Sequence, residues 1–195
     1  MDILKCATAA ATILMLPVVA QAQSVGAWTP LISEASKRFN LPAEWIERVM
    51  ALESRGQTLW HGKPITSSAG AMGLMQLMPH TWASIRQTLN LGPNPYDPHD
   101  NIVAGAYYLR RMYDRFGYPG LFGAYNAGPG RYAEHLSGRR LPEETQEYLA
   151  MATMGDRGAR LSTFRAPEPS NAIFFLKSGQ AAQIVAASVE ATGGM

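Results

Sequence analysis

A chain of 195 residues with 47% hydrophobic and 16% charged residues has enough apolar material for the core of one ordinary domain and too little charge to stay disordered. Its formal net charge of +2 is only mildly basic, and Arg110-Arg111 and Arg139-Arg140 read as solvated faces, unlike the Lys/Arg clusters of nucleic-acid binders. No nucleic-acid partner is expected, although a weak positive field suits an anionic polymer.

The N-terminal segment differs in kind from the rest. Lys5 precedes an apolar run over residues 7–20, and Ala20-Gln21-Ala22 places small residues at alternate positions, as cleavage before Gln23 requires. Residues 1–22 are therefore expected to be a cleaved signal peptide, with an uncleaved N-terminal anchor as the alternative. The run is short and Ala-rich, and no other stretch approaches the roughly 18 apolar residues of a transmembrane helix, so no stable span is expected after cleavage. The only cysteine, Cys6, precedes the apolar run, whereas a lipoprotein cysteine would follow it. After cleavage no thiol would remain for a disulfide, a metal site or a nucleophile.

Helical patterning fills most of residues 28–154. A helix is expected over 31–39. Leu41-Pro42 opens the next, because proline is tolerated in a first turn where its missing N–H has no partner to lose. Trp45, Ile46, Val49 and Met50 then recur at helical spacing and predict a buried stripe. Further helices are expected over 81–89 and 102–116, the latter with Ile102, Ala106, Leu109 and Tyr113 on one face. Gly- and Pro-rich stretches at 62–73, 92–98 and 117–120 read as turns. No alternating pattern lasts long enough to predict a sheet, so the domain should be mainly α. In residues 155–195, Ala166-Pro167-Glu168-Pro169-Ser170 resembles a linker, followed by apolar patches that could dock on the domain or on a partner.

Glu53 is the anomaly. It lies three residues after Met50, four after Val49 and seven after Ile46, so a continued helix would set its carboxylate on the apolar stripe. Such a carboxyl group loses solvation when ionised, its pKa rises, and it becomes fit for general acid work near neutral pH. The alternative is that the helix ends near Ser54-Arg55-Gly56, leaving Glu53 to face water or pair with Arg55. Downstream, Ser67 and Gly70-Ala71-Met72-Gly73-Leu74-Met75-Gln76-Leu77-Met78-Pro79 combine glycines that permit close backbone approach with an amide in an apolar segment. Tyr125 and Asn126 stand just before a Gly128-Pro129-Gly130 turn and suit the hydroxyl and acetamido groups of an amino sugar. Read singly, the methionines are core fillers and the second stretch a simple turn.

In this order and spacing the segments resemble the soluble lytic transglycosylase family. Glu53-Ser54 is similar to its catalytic Glu-Ser, Gly73-Leu74-Met75-Gln76 to its substrate-cleft motif, and Ala124-Tyr125-Asn126-Ala127-Gly128 to its third motif. Ser67 looks like its cleft serine, and Pro142-Glu143-Glu144-Thr145-Gln146-Glu147-Tyr148 resembles the segment ending in its active-site tyrosine. The resemblance covers residues 33–151, departs in detail over 55–61, and leaves the tail unexplained.

The resemblance implies a mainly α, lysozyme-like (goose-type) catalytic domain, placed over 23–154, and the change of composition after it is read as a flexible C-terminal tail over 155–195. It implies peptidoglycan glycan strands as substrate, Glu53 as the catalytic residue, and Ser67, Met75, Gln76, Tyr125, Asn126 and Tyr148 as substrate contacts. Most glycosidases use two carboxyl groups; here no second one occupies a matching motif. The family's chemistry implies that Glu53 protonates the glycosidic oxygen while the substrate's acetamido oxygen stabilises the developing charge. Glu53 then takes the proton of the muramyl C6 hydroxyl as a 1,6-anhydro ring closes. His61, His80, His99 and His135 are scattered without a chelating motif, so neither metal nor cofactor is expected. The leader implies the periplasm. Small size and a single catalytic domain with a short tail also resemble members that open the wall for type IV secretion or conjugation machines, with general wall turnover as the alternative. A hydrolytic muramidase and a non-catalytic wall-binding component are the rival functions.

Overall fold

The computed structural model describes residues 23–154; the expected signal peptide and C-terminal tail lie outside the described residues. A short 3-10 turn, Val25–Trp28, leads into α1 (Thr29–Phe39) and α2 (Ala43–Glu53). A two-residue hairpin follows, β1 (Leu59–Trp60) with β2 (Lys63–Pro64), and then α3 (Pro79–Leu89), α4 (Pro98–Ala127), α5 (Pro129–Leu136) and α6 (Glu143–Thr153). The mainly helical expectation holds, and the hairpin is the one paired sheet among the described residues. Within them, no helix is long and apolar enough to cross a membrane.

α4 is the central element, packed against α1, α2, α3, α5 and α6. Its start is set by Asp97, whose side chain accepts the Asp100 N–H, with Pro98 in the first turn. The imidazole of His99 lies between Asp100 (2.9 Å) and Glu34 of α1 (3.2 Å), and these two carboxylates raise its pKa. Asp97, His99 and Asp100 come close enough to share a cation, yet Asp97 and Asp100 are engaged by the Asp100 and Gly92 N–H groups. The cluster is a tie of the α4 terminus.

The turn expected at 117–120 is present as a break within α4. Gly117 adopts φ 64° and Tyr118 an extended φ −93°, ψ 139°; the first conformation suits glycine, and the second follows from the proline at 119. Beyond the break the helix resumes to Ala127, where the sequence pattern indicated only a turn. Gly120 and Gly123 look like turn residues, but they let the ring of Tyr132 from α5 approach the helix backbone. Trp45 of α2 meets Tyr113 before the break at 5.1 Å, stacks on Tyr118 within it at 5.4 Å and meets Phe122 beyond it edge-on at 6.2 Å, locking α2 to both halves of α4.

The stripe predicted on α2 is buried: Trp45 is 3% exposed, and Ile46, Val49 and Met50 are fully enclosed. Opposite it, Gly105 on α4 leaves room for Met75; a Cβ at Gly105 would fall 2.5 Å from the Met75 Cβ. Alanine at a free helical position stabilises by about 0.5–1 kcal/mol relative to glycine, whereas overpacking a tight core costs about 1–3 kcal/mol. Gly105→Ala should therefore destabilise the fold by about 1–3 kcal/mol. Gly130→Ala on α5, whose added methyl meets nothing within 4 Å, should not destabilise it. Urea unfolding of the two variants checks the difference in sign.

Candidate active site

α2 lasts just long enough to place Glu53, then stops. Ser54, 4% exposed, donates its hydroxyl to the Met50 carbonyl (3.3 Å) and accepts the Gly56 N–H (3.1 Å). The Gly56 carbonyl in turn accepts the Trp28 indole N–H at 2.8 Å. Side chain and backbone together thus turn the chain away from the helix while Glu53 stays on the stripe below Met50. The two sequence readings of Glu53 are both partly met: the helix does end here, but the carboxyl faces the protein. Arg55 is exposed.

The partner of Glu53 is Tyr148, which is 6% exposed and donates its hydroxyl to Glu53 Oε1 at 2.8 Å. The residue keeps an open edge to solvent, while protein atoms surround most of its carboxyl group. Burial pushes the Glu53 pKa from 4.5 to about 7; the Tyr148 hydrogen bond opposes the rise, and the charge of Glu144 adds to it. The negative end of the α2 dipole acts in the same direction as burial. Desolvation therefore outweighs the hydrogen bond. Burial also pushes the Tyr148 and Tyr125 hydroxyls well above their usual range, reinforced by Glu53, so both remain neutral donors.

Tyr148 is aimed from α6, which two contacts hold against the other helices. Thr145, three residues earlier and 2% exposed, donates to Asn126 Oδ1 at 2.7 Å. Arg48 of α2 donates to the Ala152 carbonyl at 3.0 Å. Asn126 is thus tied into the joint between α4 and α6. Tyr125, the residue before it, donates to the Met75 carbonyl at 2.8 Å and meets Tyr108 edge-on at 5.2 Å.

The 72–77 loop is closed on itself by paired Met72 and Leu77 backbone bonds of 3.0 and 3.1 Å. Asn101, fully buried on α4, holds it: its Oδ1 accepts the Met75 N–H at 2.7 Å, and its amide donates to the Met72 (3.1 Å) and Pro95 (2.8 Å) carbonyls. Gly73, at φ 74°, leaves the space that the Asn101 amide occupies. Gln76 sits at the left-handed φ of 46° and donates its amide to the Gly73 carbonyl at 2.8 Å. Met75 is fully buried against Gly105, so its side chain anchors the loop. Ser67 lies on the exposed side, accepting the Ala71 N–H at 3.0 Å.

The expected site residues thus fall into two groups. Glu53, Tyr148, Tyr125 and Met75 form a connected centre flanked by Asn126, while Gln76 and Ser67 bond to their own loops. Sequence reasoning missed Asn101, Thr145 and the charge of Glu144. A signal existed for the first two, a polar residue entering an apolar helical face. Two surface depressions among the described residues lie around Leu141 and Leu149 and around Trp60 and Tyr96, and Glu53 lines neither.

A carboxyl group held near neutral pH and faced by neutral tyrosines, in a mainly helical, lysozyme-like domain, has the properties that general acid–base chemistry asks for. The family model of the transglycosylase SLT domain matches residues 30–146, and the chain belongs to that family. It is 42% identical over 90 residues to the transglycosylase of Enterobacteria phage PRD1, covering 46% of this chain and 30% of the relative. With the soluble lytic murein transglycosylase of Escherichia coli K12 it shares 35% identity over 102 residues, 49% of this chain and 16% of that one. The structure of the 70 kDa soluble lytic transglycosylase of Escherichia coli superposes with a TM-score of 0.58 at 27% identity, over 66% of this chain and 23% of that one. An inactive mutant of lytic transglycosylase Slt from Pseudomonas aeruginosa gives 0.54 at 26% identity, over 65% and 23%. The chain thus spans less than a third of the length of these relatives.

The raised pKa has a stability consequence of defined sign. Between pH 4.5 and about 7 the folded protein keeps a proton on Glu53 that the unfolded chain releases, so this contribution to stability is complete below pH 4.5 and is lost as pH rises through 7. Glu53→Gln removes the buried charge. At about pH 8 the variant should be more stable than the parent by up to about 3 kcal/mol, less what the open solvent edge screens. The gain should vanish below pH 4.5. Urea unfolding at both pH values checks it; equal stability at the higher pH would mean the carboxylate is not desolvated.

Proposed function

We propose that the chain is a peptidoglycan lytic transglycosylase that cleaves the β-1,4 bond between N-acetylmuramic acid and N-acetylglucosamine without water, leaving 1,6-anhydro ends. The observation that carries this reading is the Glu53 carboxyl, held near pH 7 by burial with one oxygen occupied by Tyr148. Oε2, the other oxygen, then carries the proton to the glycosidic oxygen. Once ionised, Glu53 takes the proton of the muramyl C6 hydroxyl, which attacks C1, while the substrate's acetamido oxygen steadies the charge in between. A group titrating near the working pH is suited to both steps. Tyr148 orients Glu53, and Tyr125, bonded to the Met75 carbonyl, walls the site; Asn126, Gln76, Ser67 and the loop anchored by Met75 face the sugars. Membership of the SLT family and the names of the relatives support the assignment.

A hydrolytic muramidase is the reading that a second carboxylate would favour, and Glu144 is the acid whose charge reaches Glu53. Glu144 is exposed on the first turn of α6. Export to the periplasm through residues 1–22 fits a wall substrate. A role in opening the wall for a type IV secretion or conjugation machine, with residues 155–195 as the partner-binding tail, is supported by the linker-like Ala166-Pro167-Glu168-Pro169-Ser170 segment, by the apolar patches that follow it, and by the family resemblance.

Purified peptidoglycan digested with the protein should release muropeptides ending in 1,6-anhydro-N-acetylmuramic acid, read by mass spectrometry. Glu53→Gln should lower the rate at least about 100-fold, the lower end of acid–base contributions. Reducing ends alone would place the chain among hydrolases, with Glu144→Gln the next variant to test. Near-parental turnover in Glu53→Gln would remove Glu53 as the proton carrier.

A further inference from the structure

The hairpin after α2 lies where the sequence departs from the family pattern, and the acid–base centre does not use it. Leu59 pairs with Pro64 and Trp60 with Lys63. Leu59 and Trp60 are 55% and 56% exposed, so the hairpin presents two adjacent large apolar side chains to solvent that the core does not need. Trp60, His61, Lys63, Pro64, Thr66 and Tyr96 line a surface depression. Within it the Thr66 and Tyr96 hydroxyls are hydrogen-bonded to each other at 3.0 Å.

This depression is continuous with the acid–base centre through backbone. The hairpin leaves the end of the Glu53 helix, and the Thr58 carbonyl accepts the Ile65 N–H at 3.0 Å. The Ile65 carbonyl accepts the Gly73 N–H at 3.1 Å, and Thr66 is bridged to Met72. One hydrogen-bonded ribbon therefore joins Glu53, the hairpin and the loop that carries Gln76.

The surface chemistry matches a pyranose ring. An indole face takes the C–H face of a sugar, neighbouring hydroxyls take its rim, and a cation suits the carboxylates that a peptidoglycan strand carries. We propose that Trp60, with Lys63, Thr66 and Tyr96, forms a secondary subsite that holds a sugar of the glycan strand beyond those cleaved at Glu53. The proposal rests on the reading of the chain as a peptidoglycan-cutting enzyme. The ribbon then sets the spacing between the held sugar and the cleaved bond, and the subsite favours long strands over short fragments.

The test uses the full chain carrying Glu53→Gln, so that strands are bound without being cut, and purified glycan strands freed of stem peptides as the probe. Trp60→Ala in this background should weaken binding about 3- to 10-fold, the range expected for one aromatic contact. Trp60→Tyr, which keeps a stacking face, should restore most of it, and circular dichroism establishes that both variants fold. Equal binding by the parent and Trp60→Ala overturns the subsite and leaves the hairpin as a surface for a protein partner. Failure of the wild-type chain to cut peptidoglycan overturns the functional reading and the subsite with it. Cleavage by the wild type with unaltered binding in Trp60→Ala overturns the subsite alone.

Discussion

Keeping one carboxyl group out of water at the end of a core helix is the constraint around which the other parts of this domain are arranged. An isolated buried carboxylate is costly, and such a group responds by holding its proton. Here burial and the hydrogen bond from Tyr148 pull in opposite directions, and burial wins by enough to bring Glu53 to about pH 7. A stronger set of donors would have returned it to the ordinary carboxylate range. One donor to one oxygen leaves the group orientated and still able to exchange its proton.

That balance depends on parts of the chain far apart in sequence. α2 brings Glu53, and its termination at Ser54 is tied through Gly56 to Trp28 at the start of the fold. α6 brings Tyr148 and is pinned through Thr145 to Asn126 and through Ala152 to Arg48. α4 brings Tyr125 and Asn101, which grip the 72–77 loop at Met75 from both sides of its peptide unit. Each polar group buried in this joint has a partner, which is the condition for a polar network to add rigidity instead of cost. Flexible surface loops would not hold a proton-transfer group to the tolerance that its chemistry needs.

Much of this was legible in the sequence where periodicity is unambiguous. The 45, 46, 49, 50 stripe on α2 placed Glu53 on the apolar face, and the first half of α4, expected over 102–116, followed from its own apolar positions although the helix begins earlier, at Pro98. The second half of α4 and α5 were not legible, because Gly120, Gly123 and Gly128-Pro129-Gly130 carry the same letters whether glycine serves a turn or a close helix contact. Only the ring of Tyr132 against Gly123 separates the two uses. The link from Glu53 to Tyr148 spans 95 residues and came from family resemblance, since no local pattern encodes it. Asn101 was missed because a polar residue among apolar helix positions signals burial without saying which loop it holds, and Met75 shows the converse. Its residue type reads as core filler, its motif as a substrate contact, and the structure places its side chain fully in the core with its peptide group at the site.

The protonation state of the Glu53 carboxyl group can be observed without substrate. Carboxyl carbon chemical shifts of the folded protein, recorded across pH and assigned by comparison with Glu53→Gln, isolate its titration. A midpoint near 7 is the result expected from burial against a single tyrosine hydroxyl. A midpoint near the ordinary 4.5 would contradict it, because Glu53 would then be ionised at neutral pH and could not serve as the proposed acid.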